Sequence, residues 1–126
     1  MLLARSLLPQ LRRQPATFAA ISARVGSITD NHLGGWYSYR SSKAALNQLI
    51  RTFAVEARRR APQLTLLALH PGTTDTPLSA PFQSRVPEEK LFSADWVAEQ
   101  LTVQLDQATP EQSGSFINWR GDPLPW

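Results

Sequence analysis

At 126 residues, 42% of them hydrophobic and 18% charged, the chain has the length and composition of one globular domain and not of a disordered segment. Its formal charge of +3 comes with no lysine-rich run and no aromatic–basic interleaving, so nucleic acid is not an expected partner. No cysteine occurs, His32 and His70 share no ligand spacing, and no apolar run approaches the ~18–20 residues of a spanning helix. Disulfides, thiolate chemistry, a zinc site and a membrane span are therefore not expected, and a cytoplasmic location is.

The opening stretch MLLARSLLPQLRRQ places Leu3, Leu7, Leu8 and Leu11 on one stripe and predicts an amphipathic helix. It is also basic, with no acid before Asp30, but a strand pattern follows too closely for an organelle presequence. Ala16–Ser22, ATFAAIS, is a short apolar run without alternation, as expected of a strand buried on both faces. The Gly-, Ser- and Asn-rich residues from Ala23 onward read as a loop. From Ser41 the spacing of Leu46, Leu49, Ile50, Phe53 and Ala57 predicts a helix closed by Pro62, with Arg58–Arg60 suiting the negative end of its dipole.

Leu64–His70 is a second apolar run, stopped by Pro71-Gly72. The proline-bearing segment from Thr73 to Lys90 reads as a mobile surface loop. Ser93 is placed to cap a helix carrying Val97, Leu101 and Leu105 on one face, and Gly114–Trp119 reads as a third strand. Helix and strand alternate, which predicts an α/β fold with a parallel sheet covered on both faces. Three strands are few for such a sheet, so residues 1–126 are expected to be part of a larger α/β domain.

The chemistry concentrates in YSYRSSKAALNQ, Tyr37 to Gln48. Tyr39 and Lys43 stand four apart near a helix start and so share a face. An ammonium beside a phenol favours the phenolate and lowers its pKa from ~10, which suits proton transfer at a carbonyl or alcohol oxygen. Tyr37 has Ser41, not lysine, four residues on.

This stretch resembles the active-site helix of the short-chain dehydrogenase/reductase family, with its Tyr-x-x-x-Lys. VGSITDNHLGGWYSYRSSKAALN is similar to the C-factor and sniffer-like carbonyl reductase branch, and HPGTTDTPLS is similar to the family's Pro-Gly loop. The resemblance runs from about Leu2 to Trp119 and implies the C-terminal portion of a Rossmann-like, doubly wound parallel sheet. It implies Tyr39 as general acid/base on a small carbonyl or secondary alcohol, and Lys43 as ligand of the nicotinamide ribose and modulator of Tyr39. Pro71, Gly72, Thr74 and Thr76 would then line the NAD(P) site, and the first helix and the Tyr39 helix would pair in a homodimer.

Two departures from the family pattern stand out. Where Ile-Ser-Ser-x-x-Gly is usual the chain reads ISARVG, so Ala23 takes the place of the substrate-binding serine. Ser22, one residue early, is the expected substitute if a bulge re-aims it, with Ser27 a further candidate. The strand, glycine-rich turn and helix that cradle the dinucleotide phosphates are not in the sequence. The chain is therefore expected to be a C-terminal half unable to hold NAD(P) alone, or else a non-catalytic interaction or signalling module on the same scaffold.

Overall fold

The computed structural model describes residues 2–126; Met1, from which the first helix was expected to run, lies outside the described residues. The elements in order are α1 (Leu2–Leu11), β1 (Ala16–Ile21), α2 (Tyr37–Ala57), β2 (Leu64–His70), β3 (Thr73–Thr74), β4 (Leu91–Phe92), α3 (Ala94–Asp106) and β5 (Ser115–Asn118). The three longer strands form a parallel sheet in the order β1-β2-β5. Their register runs unbroken from Ala16 opposite Leu64 to Ile21 opposite Leu69, and from Leu67 opposite Ser115 to His70 opposite Asn118.

The central strand explains the layering. Leu64, Leu66 and Ala68 point to one face and pack with Ala4, Leu8, Ile50, Phe53 and Ala57 of α1 and α2. Leu67 and Leu69 point to the other and pack with Val97 and Leu101 of α3 and Ile117 of β5. A strand buried on both faces has no polar positions to alternate with, hence the continuous apolar run. Helices on both faces of a parallel sheet make this a Rossmann-like α/β fold. Among the described residues no helix is long and apolar enough to cross a membrane.

Two expectations are corrected. Helix α2 starts at Tyr37, four residues before the expected start at Ser41, and the chain enters it through three left-handed residues, Gly34, Gly35 and Trp36. The segment after Gly72 is not an open loop. Thr73–Thr74 pairs in parallel with Leu91–Phe92, and the residues between coil into 3-10 turns at Ala80–Arg85 and Glu88–Lys90. Ser79 holds this segment together: its hydroxyl donates to the Thr74 carbonyl at 2.5 Å and accepts from the Thr76 amide and the Gln83 side chain. Helix α3 begins as expected, the Trp96 amide donating to the Ser93 hydroxyl at 3.2 Å.

All three strands point their C-terminal ends to one edge. The chain leaving β1, the chain leaving β2 and the N-terminus of α2 gather there, the usual place for a site in an open parallel sheet. Leu66→Ala, at a fully buried position of the central strand, should cost about 2–5 kcal/mol, whereas Ile21→Thr, at a 61% exposed position of the edge strand, should stay within about 0.5 kcal/mol. Urea unfolding of the two variants checks this.

Candidate active site

Tyr39 and Lys43 lie on the first two turns of α2, and Lys43 reaches back to the sheet. Its Nζ donates to the carbonyl of Ile21, the last residue of β1, at 3.0 Å. The same ammonium lies 5.9 Å from the centroid of the Tyr39 ring, at the outer limit of a cation–π contact. Tyr39 is 44% exposed, and partial burial pushes its phenol above the usual value of 10. The expected lowering by Lys43 is thus corrected: in this arrangement the ammonium serves the Ile21 carbonyl and the ring face, while burial governs the phenol. Tyr37, two residues earlier, stands 84% exposed.

The serine question resolves by strand parity. The β1–β2 register has no bulge, and the Ser22 amide continues it by donating to the Leu69 carbonyl at 2.7 Å. Ser22 is buried, and its hydroxyl donates to Asn47 Oδ1 at 2.6 Å. No bulge in β1 re-aims it, and its hydroxyl is engaged by Asn47. Ser27 is also buried, its hydroxyl accepting from the Asp30 amide at 3.0 Å. Ala23, in the serine's place, opens the short 3-10 turn Arg24–Gly26.

That turn is pressed against α2. A Cβ on Gly26 would lie 2.7 Å from the Lys43 Cβ and 2.8 Å from its carbonyl carbon, so only glycine fits. On the other side, the Arg24 amide donates to His70 Nδ1 at 3.3 Å, which places the ring proton of a neutral His70 on Nε2. Burial, reinforced by the Arg24 charge, lowers the His70 pKa to about 4. Neither Gly26 nor His70 was singled out from the sequence as a site residue, although Gly26 closes the ISARVG run and His70 opens HPGTTDTPLS.

Beyond His70 the chain turns through Pro71 and Gly72. Gly72 has φ 80°, and a Cβ there would meet the Phe92 ring at 2.9 Å and Trp119 at 3.3 Å. Phe92 is itself packed between Trp96 and Trp119, with ring centroids 4.5 and 5.2 Å away. Pro71, Thr74 and Thr76 are half-buried at the same edge. The Thr76 hydroxyl lies 3.5 Å from the Thr74 carbonyl, at the limit of a hydrogen bond. Among the described residues no group of three or more His, Cys, Asp or Glu could hold a metal ion.

The Tyr39–Lys43 pair on α2, a turn after β1 and a Pro-Gly bend after β2, all at one edge of a parallel sheet, agree with the similarity to known proteins. The profile described as short chain dehydrogenase matches residues 1–87. The chain belongs to this family. It is 34% identical over 122 residues to the C-signal of Myxococcus xanthus, covering 96% of this chain and 68% of that protein. It is 35% identical over 116 residues to the 1-hydroxy-2-glutathionyl-2-methyl-3-butene dehydrogenase of Rhodococcus sp. (strain AD45), with 92% and 49% covered.

Solved structures agree. The carbonyl reductase Sniffer of D. melanogaster superposes with a TM-score of 0.83 at 27% identity, over 98% of this chain and 51% of that one. An NADPH-bound carbonyl reductase from chicken fatty liver also gives 0.83, at 30% identity, over 99% and 52%. The chain thus spans about half the length of several of the family members it matches.

Two measurements probe this edge. Gly26→Ala should force the turn off α2 and destabilise the chain, with the largest amide shifts at Lys43 and Ala44 in an NMR spectrum. The His70 prediction follows from linkage: the unfolded side chain titrates near 6.5 and the folded one near 4, so the unfolded chain binds the extra proton. Stability should fall as pH drops through that window, by up to about 3 kcal/mol. His70→Asn keeps an acceptor for Arg24 without the titration, and should remove that part of the slope in urea midpoints between pH 7 and pH 4.

Proposed function

We propose that this chain carries the proton-transfer half of an NAD(P)-dependent oxidoreductase acting on a small carbonyl compound or secondary alcohol. The observation that carries the reading is the placement of Tyr39 and Lys43 on successive turns of α2 at the edge where the Pro71-Gly72 bend also stands. Tyr39 would give its phenolic proton to the carbonyl oxygen, or take it back in the reverse direction. Burial disfavours the phenolate of Tyr39, which suits the phenol to the role of proton donor in carbonyl reduction.

The residues present suit one end of a nicotinamide dinucleotide. Lys43 would meet a ribose hydroxyl, and Pro71, Gly72, Thr74 and Thr76 would line the nicotinamide side. When bound, the dinucleotide supplies the hydride. Its phosphates have no glycine-rich loop to meet in these 126 residues. Ser22 enters this reading only by holding Asn47, so Tyr39 is the side chain left to orient the substrate oxygen.

Ala23 in the serine's place favours a second reading, a non-catalytic interaction or signalling module. In either case we place the cysteine-free chain in the cytoplasm. We also propose a homodimer through α1 and α2, whose shared groove of about 560 Å³ is lined by the partly buried Leu8, the exposed Leu49 and the buried Phe53. Sedimentation of a clean monomer at high concentration would count against that dimer.

The enzyme reading is tested with the chain joined to a phosphate-binding half from the family. Tyr39→Phe should lower turnover by about 10²–10⁴-fold with cofactor affinity retained. Lys43→Ala should lower both, and Tyr37→Phe should leave both near the parent. Equal activity of the two Tyr→Phe variants would favour the scaffold reading. The chain alone should show no saturable NADPH fluorescence change, and micromolar binding would contradict the proposed division of labour.

A further inference from the structure

Helix α2 begins in an uncommon way. Gly34, Gly35 and Trp36 are consecutive left-handed residues with φ of 66°, 70° and 50°. Glycine takes such angles freely, but for a bulky residue such as Trp36 the conformation is an outlier that its surroundings must enforce. No side chain caps the helix at Trp36, and the first turn contains no acid. The enforcing group is Arg40. Its Nε donates to the Gly35 carbonyl at 3.0 Å, its Nη2 to the Gly34 carbonyl at 3.1 Å, and its Nη1 to the Val25 carbonyl at 3.3 Å. Its guanidinium carbon also lies 5.8 Å from the Trp36 ring centroid.

We propose that Arg40 is the positioning residue of the Tyr39–Lys43 pair: by binding the Gly34, Gly35 and Val25 carbonyls at once, it fixes the left-handed entry to α2 and clamps the 24–26 turn to that helix. The two ends of this clamp bear on the two residues of the pair. The entry turn sets where the first turn of α2, and with it Tyr39, stands. The Val25 end holds Gly26 in its close approach to Lys43, whose side chain then reaches Ile21. Three carbonyls around one planar fork is a geometry that a guanidinium matches and a single ammonium does not. The role of Arg40 in a reaction rests on the reading of Tyr39 as the proton-transfer residue; its role in placing the phenol does not.

The test uses the whole chain with Tyr37→Phe, which leaves Tyr39 as the one tyrosine. Its phenol is titrated by ultraviolet absorbance, and the Gly34 and Gly35 amides are followed by NMR. Arg40→Lys keeps the charge and loses the fork. If Arg40 places the phenol, the first turn frays, Tyr39 gains solvent, and its titration midpoint falls toward that of a free tyrosine, with shifts at both glycines. In Arg40→Ala, millimolar ethylguanidinium should restore the parent midpoint.

Trp36→Gly removes the need to enforce φ at that position, so in its presence the effect of Arg40→Lys on Tyr39 should shrink. Should Arg40→Ala fail to fold, Arg40→Lys alone decides. An unchanged Tyr39 midpoint in Arg40→Lys overturns the proposal, as does loss of stability in Arg40→Ala with no midpoint change and no rescue. Normal Arg40 dependence of the midpoint, together with inactivity of a cofactor-competent fusion, would instead count against the enzyme reading.

Discussion

The close approach of Gly26 to Lys43 is the constraint on which the functional edge depends. Helix α2 must lie flush against the turn that leaves β1, and any side chain at Gly26 would pry them apart. With the two in contact, Lys43 reaches the last carbonyl of β1 and the Arg24 amide finds the His70 ring at the end of β2. Two strand ends and one helix start are thereby tied together by backbone acceptors and donors rather than by apolar burial. The core beneath supplies the stability of this edge, and the polar ties above it supply its geometry.

The same edge shows how burial and charge compete. An ammonium can stabilise a phenolate only to the extent that it is free to face the oxygen. Here Lys43 spends a hydrogen bond on Ile21 and turns toward the aromatic ring, so partial desolvation governs Tyr39. At His70 the two influences have one sign, since burial and the nearby Arg24 both disfavour the imidazolium. A neutral His70 is what the Arg24 amide needs as an acceptor, so the low basicity and the hydrogen bond support one another.

What was legible in the sequence was whatever depends on local pattern. The apolar runs 64–70 and 16–22 became the paired strands, Ser93 became a cap, and the four-residue spacing of Tyr39 and Lys43 survived as one helical face. What was not legible depends on residues far apart in the chain. The pairing of Thr73–Thr74 with Leu91–Phe92 needs the aromatic cluster of Phe92, Trp96 and Trp119, which no window of sequence displays. The early start of α2 needs Arg40 to hold two glycines and a tryptophan in place, whereas periodicity registers only buried positions. For Ser22 the period-two rule pointed away from the site, and the unbroken β1–β2 register leaves no bulge to reverse it.

On the proposed enzyme reading, alanine at position 23, where the family pattern has serine, bears on how much chemistry this edge can support. Removing one preorganised donor from an oxyanion site typically costs about 10²–10³-fold in rate. Proton transfer by a positioned acid contributes about 10²–10⁴-fold, a separate factor that Tyr39 can still supply. On that reading, an active site with Ala23 is a weakened one rather than an abolished one, provided that the phenol is held in place. Ser22 is buried and donates to Asn47, and Ser27 is buried and accepts from the Asp30 amide. On the proposed enzyme reading, the burden of orienting a substrate oxygen moves to α2, whose N-terminal turn is bound by Arg40.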